Sequence, residues 1–168
     1  MHPSRRQALA SLGALTASAL SRSAAAQAPS AALQMPDNKA RTAIHYEIDF
    51  AAPPSRIYQA ILDQKQFAAF SGLAATIDPN PGGPFSMFGG QIQGRNIELV
   101  PNVRIVQAWR PAHWAAGIYS IAHFEFKPRA AETILIFDHV GFPAGDYDSL
   151  DSGWSHHYWE PLKKYFDS

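Results

Sequence analysis

The chain of 168 residues carries 14 basic and 14 acidic side chains, seven histidines and no cysteine, and 46% of it is hydrophobic. Enough apolar and aromatic mass is present for one good core, and the lack of cysteine excludes a disulfide framework and a lipid-bearing cysteine. Three basic residues, Arg5, Arg6 and Arg22, and no acid fall within residues 1–26. The remainder is therefore mildly acidic without a Lys/Arg block, which argues against nucleic acid or an anionic membrane as the main partner.

Ser4-Arg5-Arg6-Gln7 precedes an Ala- and Leu-rich stretch from Ala8 to Leu20, and Ser21-Arg22-Ser23-Ala24-Ala25-Ala26 follows. A charged start, a short apolar region and small residues before a cleavage point form an export signal, and paired arginines point to the twin-arginine route. Ala8-Leu9-Ala10 stand where that route favours a bulky apolar residue, so general secretion stays open. The apolar stretch falls short of the about 20 residues needed to span a bilayer, so no stable membrane anchor is expected. Cleavage is expected after Ala26, because cutting after Ala28 would leave Pro29 first. The expected location is periplasmic or secreted. Residues 27–40, interrupted by Pro29 and Pro36, read as a flexible leader, and residues 41–168 as one domain.

From Thr42 to Phe50 apolar and polar residues alternate, which predicts a half-buried strand with Ile44, Tyr46, Ile48 and Phe50 inward. Pro53-Pro54-Ser55 then opens a helix carrying Ile57, Ala60 and Ile61 at helical spacing, and a second short helix is expected over residues 65–70. After the Pro/Gly-rich loop of residues 78–84, the run from Phe85 to Arg110 reads as two strand patterns joined by turns at Gly89-Gly90, Gly94 and Pro101-Asn102. Strands follow around residues 119–127, with Ser120, Ala122, Phe124 and Phe126 on one face, and over residues 133–139. The last segment changes period: Leu150, Trp154, Tyr158, Leu162 and Phe166 recur every four residues on an amphipathic helix that Asp148 is expected to cap. Pro161 lies inside that helix and removes a backbone donor, so a bend is expected there.

The Phe85–Arg110 run, the later blocks Trp114-Ala115-Ala116-Gly117-Ile118-Tyr119 and Gly141-Phe142-Pro143, and Gly153-Trp154 leading to Tyr158-Trp159-Glu160-Pro161-Leu162-Lys163 occur in a definite order. In this the chain resembles, from Thr42 to Phe166, the C-terminal domain of the heat-shock-protein-90 ATPase activators, a branch of the START/birch-pollen-allergen (SRPBCC) superfamily. The resemblance implies an α+β helix-grip fold, in which a curved antiparallel sheet wraps a long C-terminal helix and leaves a cavity between them. It also implies that Phe67, Phe70, Phe85, Phe88, Trp109, Phe124, Trp154 and Tyr158 line that cavity, with core filling as the alternative for each. A small hydrophobic molecule is the implied partner. A chaperone partner is not expected, since the likeness is to the C-terminal domain alone and an export signal stands where the activators have a further domain. Superfamily relatives also include cyclases and hydrolases that use the same cavity.

Residue spacing singles out no catalytic, metal or cofactor site. His156 and Glu160 are one helical turn apart without a second pair, and read as a solvated surface pair. His123 and His139 fall on strands that could be neighbours, which leaves a site between them open, while metal binding is not expected. Residues 146–157 fail the EF-hand pattern, with Asp151 where glycine and His157 where a bidentate glutamate are needed. No G-x-S-x-G elbow or phosphate loop is present, so neither a nucleophilic enzyme nor a nucleotide cofactor is expected.

Overall fold

The alternation at the start of the domain becomes β1 (Ala43–Phe50), whose Ile44, Ile48 and Phe50 are buried while Ala43, His45, Glu47 and Asp49 face outward. The computed structural model describes residues 40–167. The export signal expected in residues 1–26, and all but the last residue of the expected leader, lie outside the described residues.

Helix α1 (Pro54–Leu62) places proline in its first turn, where a missing N–H has no bond to lose, and buries Ile57, Ala60, Ile61 and Leu62. The Asp63 carboxylate accepts from the N–H groups of Lys65 and Gln66, at 3.0 and 2.9 Å, and so starts α2 (Gln64–Ser71). Gly72, at φ 72°, ends α2 in the left-handed conformation that glycine adopts without strain. Helix α2 buries Phe67 and Phe70, both packed against Tyr158.

Six further strands follow: β2 (Thr76–Ile77), β3 (Pro84–Met87), β4 (Ile92–Val100), β5 (Arg104–Pro111), β6 (Ser120–Arg129) and β7 (Glu132–Val140). All seven form one antiparallel sheet in the order β1-β7-β6-β5-β4-β3-β2. The Phe85–Arg110 stretch thus contributes to three strands rather than two. The break comes at Phe88-Gly89-Gly90, where successive φ values of 53°, 65° and 93° turn the chain with a left hand. A bulge between Asn96 and Glu98 adds a residue to β4 and supports the sheet's curvature.

The C-terminal helix consists of α3 (Tyr147–Gly153), a π-helical segment (Trp154–Trp159) and α4 (Glu160–Phe166). Pro161 cannot donate to the His157 carbonyl, and the turn before it widens: the Glu160 N–H bonds the Ser155 carbonyl five residues back. One result is that Trp154 and Trp159, five residues apart, stack with centroids 5.4 Å apart and planes 18° apart. The predicted stripe of Leu150, Trp154, Tyr158, Leu162 and Phe166 is buried throughout. The cap is a correction: α3 begins one residue before Asp148, Asp146 holds the cap position, and Asp146 makes no side-chain cap bond. Its carboxylate is committed to Trp114 instead.

Candidate functional site

Along most of its length the helix leaves no space over the sheet. Trp154 lies 4.3 Å from Phe137 and 6.1 Å from Phe124 by ring centroid, and Trp159 lies 4.9 Å from Phe137. Large rings on both surfaces meet and fill the gap, as close packing requires. A cleft of about 600 Å³ opens beside the first turns of the helix, between them, the end of β5 and the segment from Phe88 to Ile92. Leu73, Phe88, Ile92, Trp109, Trp114, Leu150, Trp154 and Tyr158 form its apolar walls, and Gln91, His113, Asp146 and His157 are among its polar lining.

Of the eight residues expected to line a cavity, Phe88, Trp109, Trp154 and Tyr158 line this cleft. The other four lie behind it in the packed core. Phe67 is fully buried, 5.1 Å from Phe88 and 5.7 Å from Tyr158, and Phe70 is 5.7 Å from Tyr158. Phe85 packs on Gly94, where a Cβ would stand 2.2 Å from the phenyl Cζ, so this contact requires glycine. Phe124 is fully buried against Phe137, at 4.9 Å.

Trp114, His113, Gln91, Asp146 and Gly153 were not singled out as lining residues, because they come from loops and a helix start whose meeting no periodicity encodes. Two contacts fix that meeting. The Trp114 indole N–H donates to Asp146 Oδ2 at 2.6 Å, and the Arg110 guanidinium donates to the Trp114 carbonyl. The first ties the Pro111–Trp114 loop to the residue before α3, and the second closes that loop on the end of β5. On the opposite wall, Phe88 adopts a left-handed backbone that costs a non-glycine residue about 1 kcal/mol. Packing of its ring on Phe67 and Tyr158, at 5.1 and 5.9 Å, offsets that strain.

Behind the Trp109–Trp154 wall lies a buried polar chain. Trp154 Nε1 donates to His139 Nδ1 at 2.9 Å, His139 Nε2 lies 2.6 Å from Ser120 Oγ, and Ser120 Oγ donates to the Trp109 carbonyl at 3.0 Å. An indole N–H only donates, so Nδ1 must be the bare nitrogen and the imidazole proton sits on Nε2. His139 therefore donates to Ser120, and the serine hydroxyl passes its own proton to the backbone. That tautomer is the reverse of what a histidine base acting on a serine nucleophile needs. Burial pushes the His139 pKa down to about 3, so the ring is neutral at physiological pH and serves to hold Trp154 and Trp109 in place.

His123 and His139 do occupy neighbouring strands, but His139 points into the core and His123 lies on the outer face beside Asp138. Among the described residues, no group of three or more His, Asp or Glu side chains is placed to hold a metal ion. His156 Nε2 and Glu160 lie 4.0 Å apart, with both side chains well exposed.

A curved antiparallel sheet gripping a C-terminal helix, with an aromatic-walled cleft at one end of that helix, defines an α+β helix-grip domain. The chain belongs to the Activator of Hsp90 ATPase homolog 1-like family, which matches residues 51–167. The human "Activator of 90 kDa heat shock protein ATPase homolog 1" is 31% identical over 117 residues, covering 70% of this chain and 35% of that protein. This chain thus spans about a third of the length of the curated relatives it matches. Among solved structures, an HSP90 activator from Plasmodium falciparum superposes with a TM-score of 0.71 at 25% identity, covering 74% of this chain and 95% of that one. A protein from Chromobacterium violaceum superposes with a TM-score of 0.61 at 26% identity, covering 76% and 98%.

Proposed function

We propose that this domain holds a small hydrophobic or amphipathic molecule in the cleft beside the helix start, and that the chain works outside the cytoplasm. The observation that carries the first part is an aromatic-walled opening of about 600 Å³ beside the start of the C-terminal helix. Ligand pockets have this composition: apolar walls with a few polar groups that set orientation. The twin arginines and short apolar stretch near the N-terminus support export.

The test uses a residue that lines the cleft without packing in it. A Cβ added at Gly153 meets nothing within 4 Å, and the backbone there is helical, at φ −62°. Gly153→Leu therefore fills the cleft and leaves the fold alone. Titration of residues 27–168 with anilinonaphthalene sulfonate should show saturable binding that changes tryptophan emission, and Gly153→Leu should weaken it at least tenfold. A wild type that binds no fluorophore up to its solubility limit, or a folded Gly153→Leu protein with unchanged affinity, would overturn the proposal.

A second reading, interaction with a heat-shock-protein-90 chaperone, draws on the relatives that are activators of that chaperone's ATPase, against the expectation from the sequence. Stimulation of such a chaperone's ATPase by the purified domain would favour it. Conversion of the bound molecule on incubation would instead favour a cyclase- or hydrolase-like enzyme.

A further inference from the structure

The two edges of the sheet are built differently. One is β2, two residues long and followed at once by Asp78-Pro79. A short edge strand closed by proline offers little backbone for a further strand to pair with. The other is β1, eight residues paired with β7 in unbroken register and containing no proline, glycine or lysine. Native sheets blunt or cover an edge of that length, because its free backbone groups are a template for another strand.

Which backbone groups lie on the open side follows from the ladder. The Gly141 N–H donates to the Thr42 carbonyl at 2.9 Å, so Thr42 and every second residue after it turn their N–H and C=O groups toward β7. Ala43, His45, Glu47 and Asp49 turn theirs away, and among the described residues no hydrogen bond reaches these groups. Helix α3 meets β1 on the inner face instead, where the Tyr46 hydroxyl donates to Asp151 and lies 3.2 Å from Ser155 Oγ. The same four residues carry exposed side chains on the outer face, and His45 and Glu47 flank Tyr46 with opposite charge.

We infer that β1 pairs with β1 of a second copy of this chain, antiparallel about a two-fold axis at Tyr46, so that one sheet runs through a dimer. This goes beyond the cleft reading and does not depend on it. About that axis His45 stands opposite Glu47 of the second copy, and Glu47 opposite the second copy's His45, while Ala43 and Asp49 face each other outside them. Oppositely charged cross-strand pairs are stabilising and like pairs are not. The Asp138 carboxylate, 2.7 Å from His45 Nδ1, raises the pKa of that ring and favours the imidazolium. Other registers lose this match. An axis at Glu47 sets two carboxylates against each other, and an axis at His45 sets two imidazoles against each other. An axis between two residues would match a backbone turned outward with one turned toward β7, and the ladder could not form.

Sedimentation equilibrium of the full chain over a concentration series should show a monomer–dimer equilibrium. Glu47→Pro removes an N–H that points away from β7, so it should weaken the dimer at least about tenfold while the β1–β7 ladder stays intact. A chain that stays monomeric at the highest attainable concentration, or a dimer that Glu47→Pro does not weaken, overturns the inference. Cross-linking tests the register and does not need the proline variant to fold. The chain has no cysteine, so His45→Cys and Glu47→Cys each introduce a single thiol. In an oxidised equimolar mixture of the two variants, the mixed disulfide should exceed either same-variant disulfide about tenfold. Residues 45 and 47 face each other across the axis, whereas 45 with 45 and 47 with 47 are diagonal neighbours about 7–8 Å apart, beyond easy bridging. Random pairing gives only about a twofold excess, and that result, or no disulfide at all, overturns the inference.

Discussion

Taking the domain from pH 7 to pH 4 should cost about 3 kcal/mol of stability through His139 alone. The ring is fully buried, its Nδ1 accepts from Trp154, and its pKa in the folded state is pushed down to about 3, against 6.5 for an ordinary histidine. The unfolded chain therefore takes up a proton on His139 at a pH where the folded chain does not. Stability contributed by the neutral ring is present above pH 6.5 and is lost as pH falls from there toward 3. At about 1.4 kcal/mol per pH unit, some 2.5 units of that window lie above pH 4, which gives roughly 3 kcal/mol. The assay is urea unfolding followed by tryptophan fluorescence at a series of pH values, on wild type and on His139→Asn. Asparagine can still accept from Trp154 Nε1 through its carbonyl oxygen and does not titrate. His45 works in the opposite direction: its hydrogen bond to Asp138, at 2.7 Å, raises its pKa, so its contribution fades as pH rises. That contribution is common to both proteins and cancels in the comparison. The His139→Asn protein should lose less stability than wild type between pH 7 and 4, by about 3 kcal/mol. Equal losses in the two proteins would refute the assignment of a buried, neutral His139.

Trp154→Ala should cost about 3 to 5 kcal/mol in denaturant unfolding, because it empties a buried indole site and strips His139 Nδ1 of its donor. A loss below about 1 kcal/mol would place the ring outside the core. Gly153→Ala should stabilise the domain by about 0.5 to 1 kcal/mol, since the position is helical and a Cβ there meets nothing, and a loss of stability would show that the space is occupied. Replacing Arg5 and Arg6 together with lysine should strand the precursor in the cytoplasm; unchanged export of that variant would point to general secretion.

The elements were legible where one physical period dominated. Alternation from Thr42 to Phe50 became β1, and the four-residue recurrence from Leu150 to Phe166 became the buried stripe of the C-terminal helix, because a side chain's face is set by the local period alone. Turn chemistry was less complete. Gly89-Gly90 marked a break, but that Phe88 would share the left-handed turn, and so split the stretch into three strands, depends on its packing against Phe67 and Tyr158. Pro161 announced a disturbed helix, and the π-helical segment that absorbs it also depends on how the indoles of Trp154 and Trp159 stack over the sheet.

Sequence by itself determined the order of elements and the histidines open to question, since these follow from residue type and spacing, while the helix-grip arrangement and the inward aromatic set followed from the resemblance to the activator family. Only tertiary structure decided which aromatics fill the core and which wall a cleft. Phe124 and Trp109 look equivalent along their strands, yet Phe124 is enclosed by Trp154, Tyr158 and Trp159 of the helix, while Trp109, stacked on Trp154, lies where the helix start and the Trp114 loop leave room. Tertiary structure also decided which buried donors found acceptors, because Trp154 reaches His139, 15 residues away in the chain, and Trp114 reaches Asp146, 32 away, while Trp109 and Tyr158 reach none among the described residues. Hydrogen-bond partnership between distant residues depends on where the folded backbone carries them, and no local pattern of residue types contains that distance.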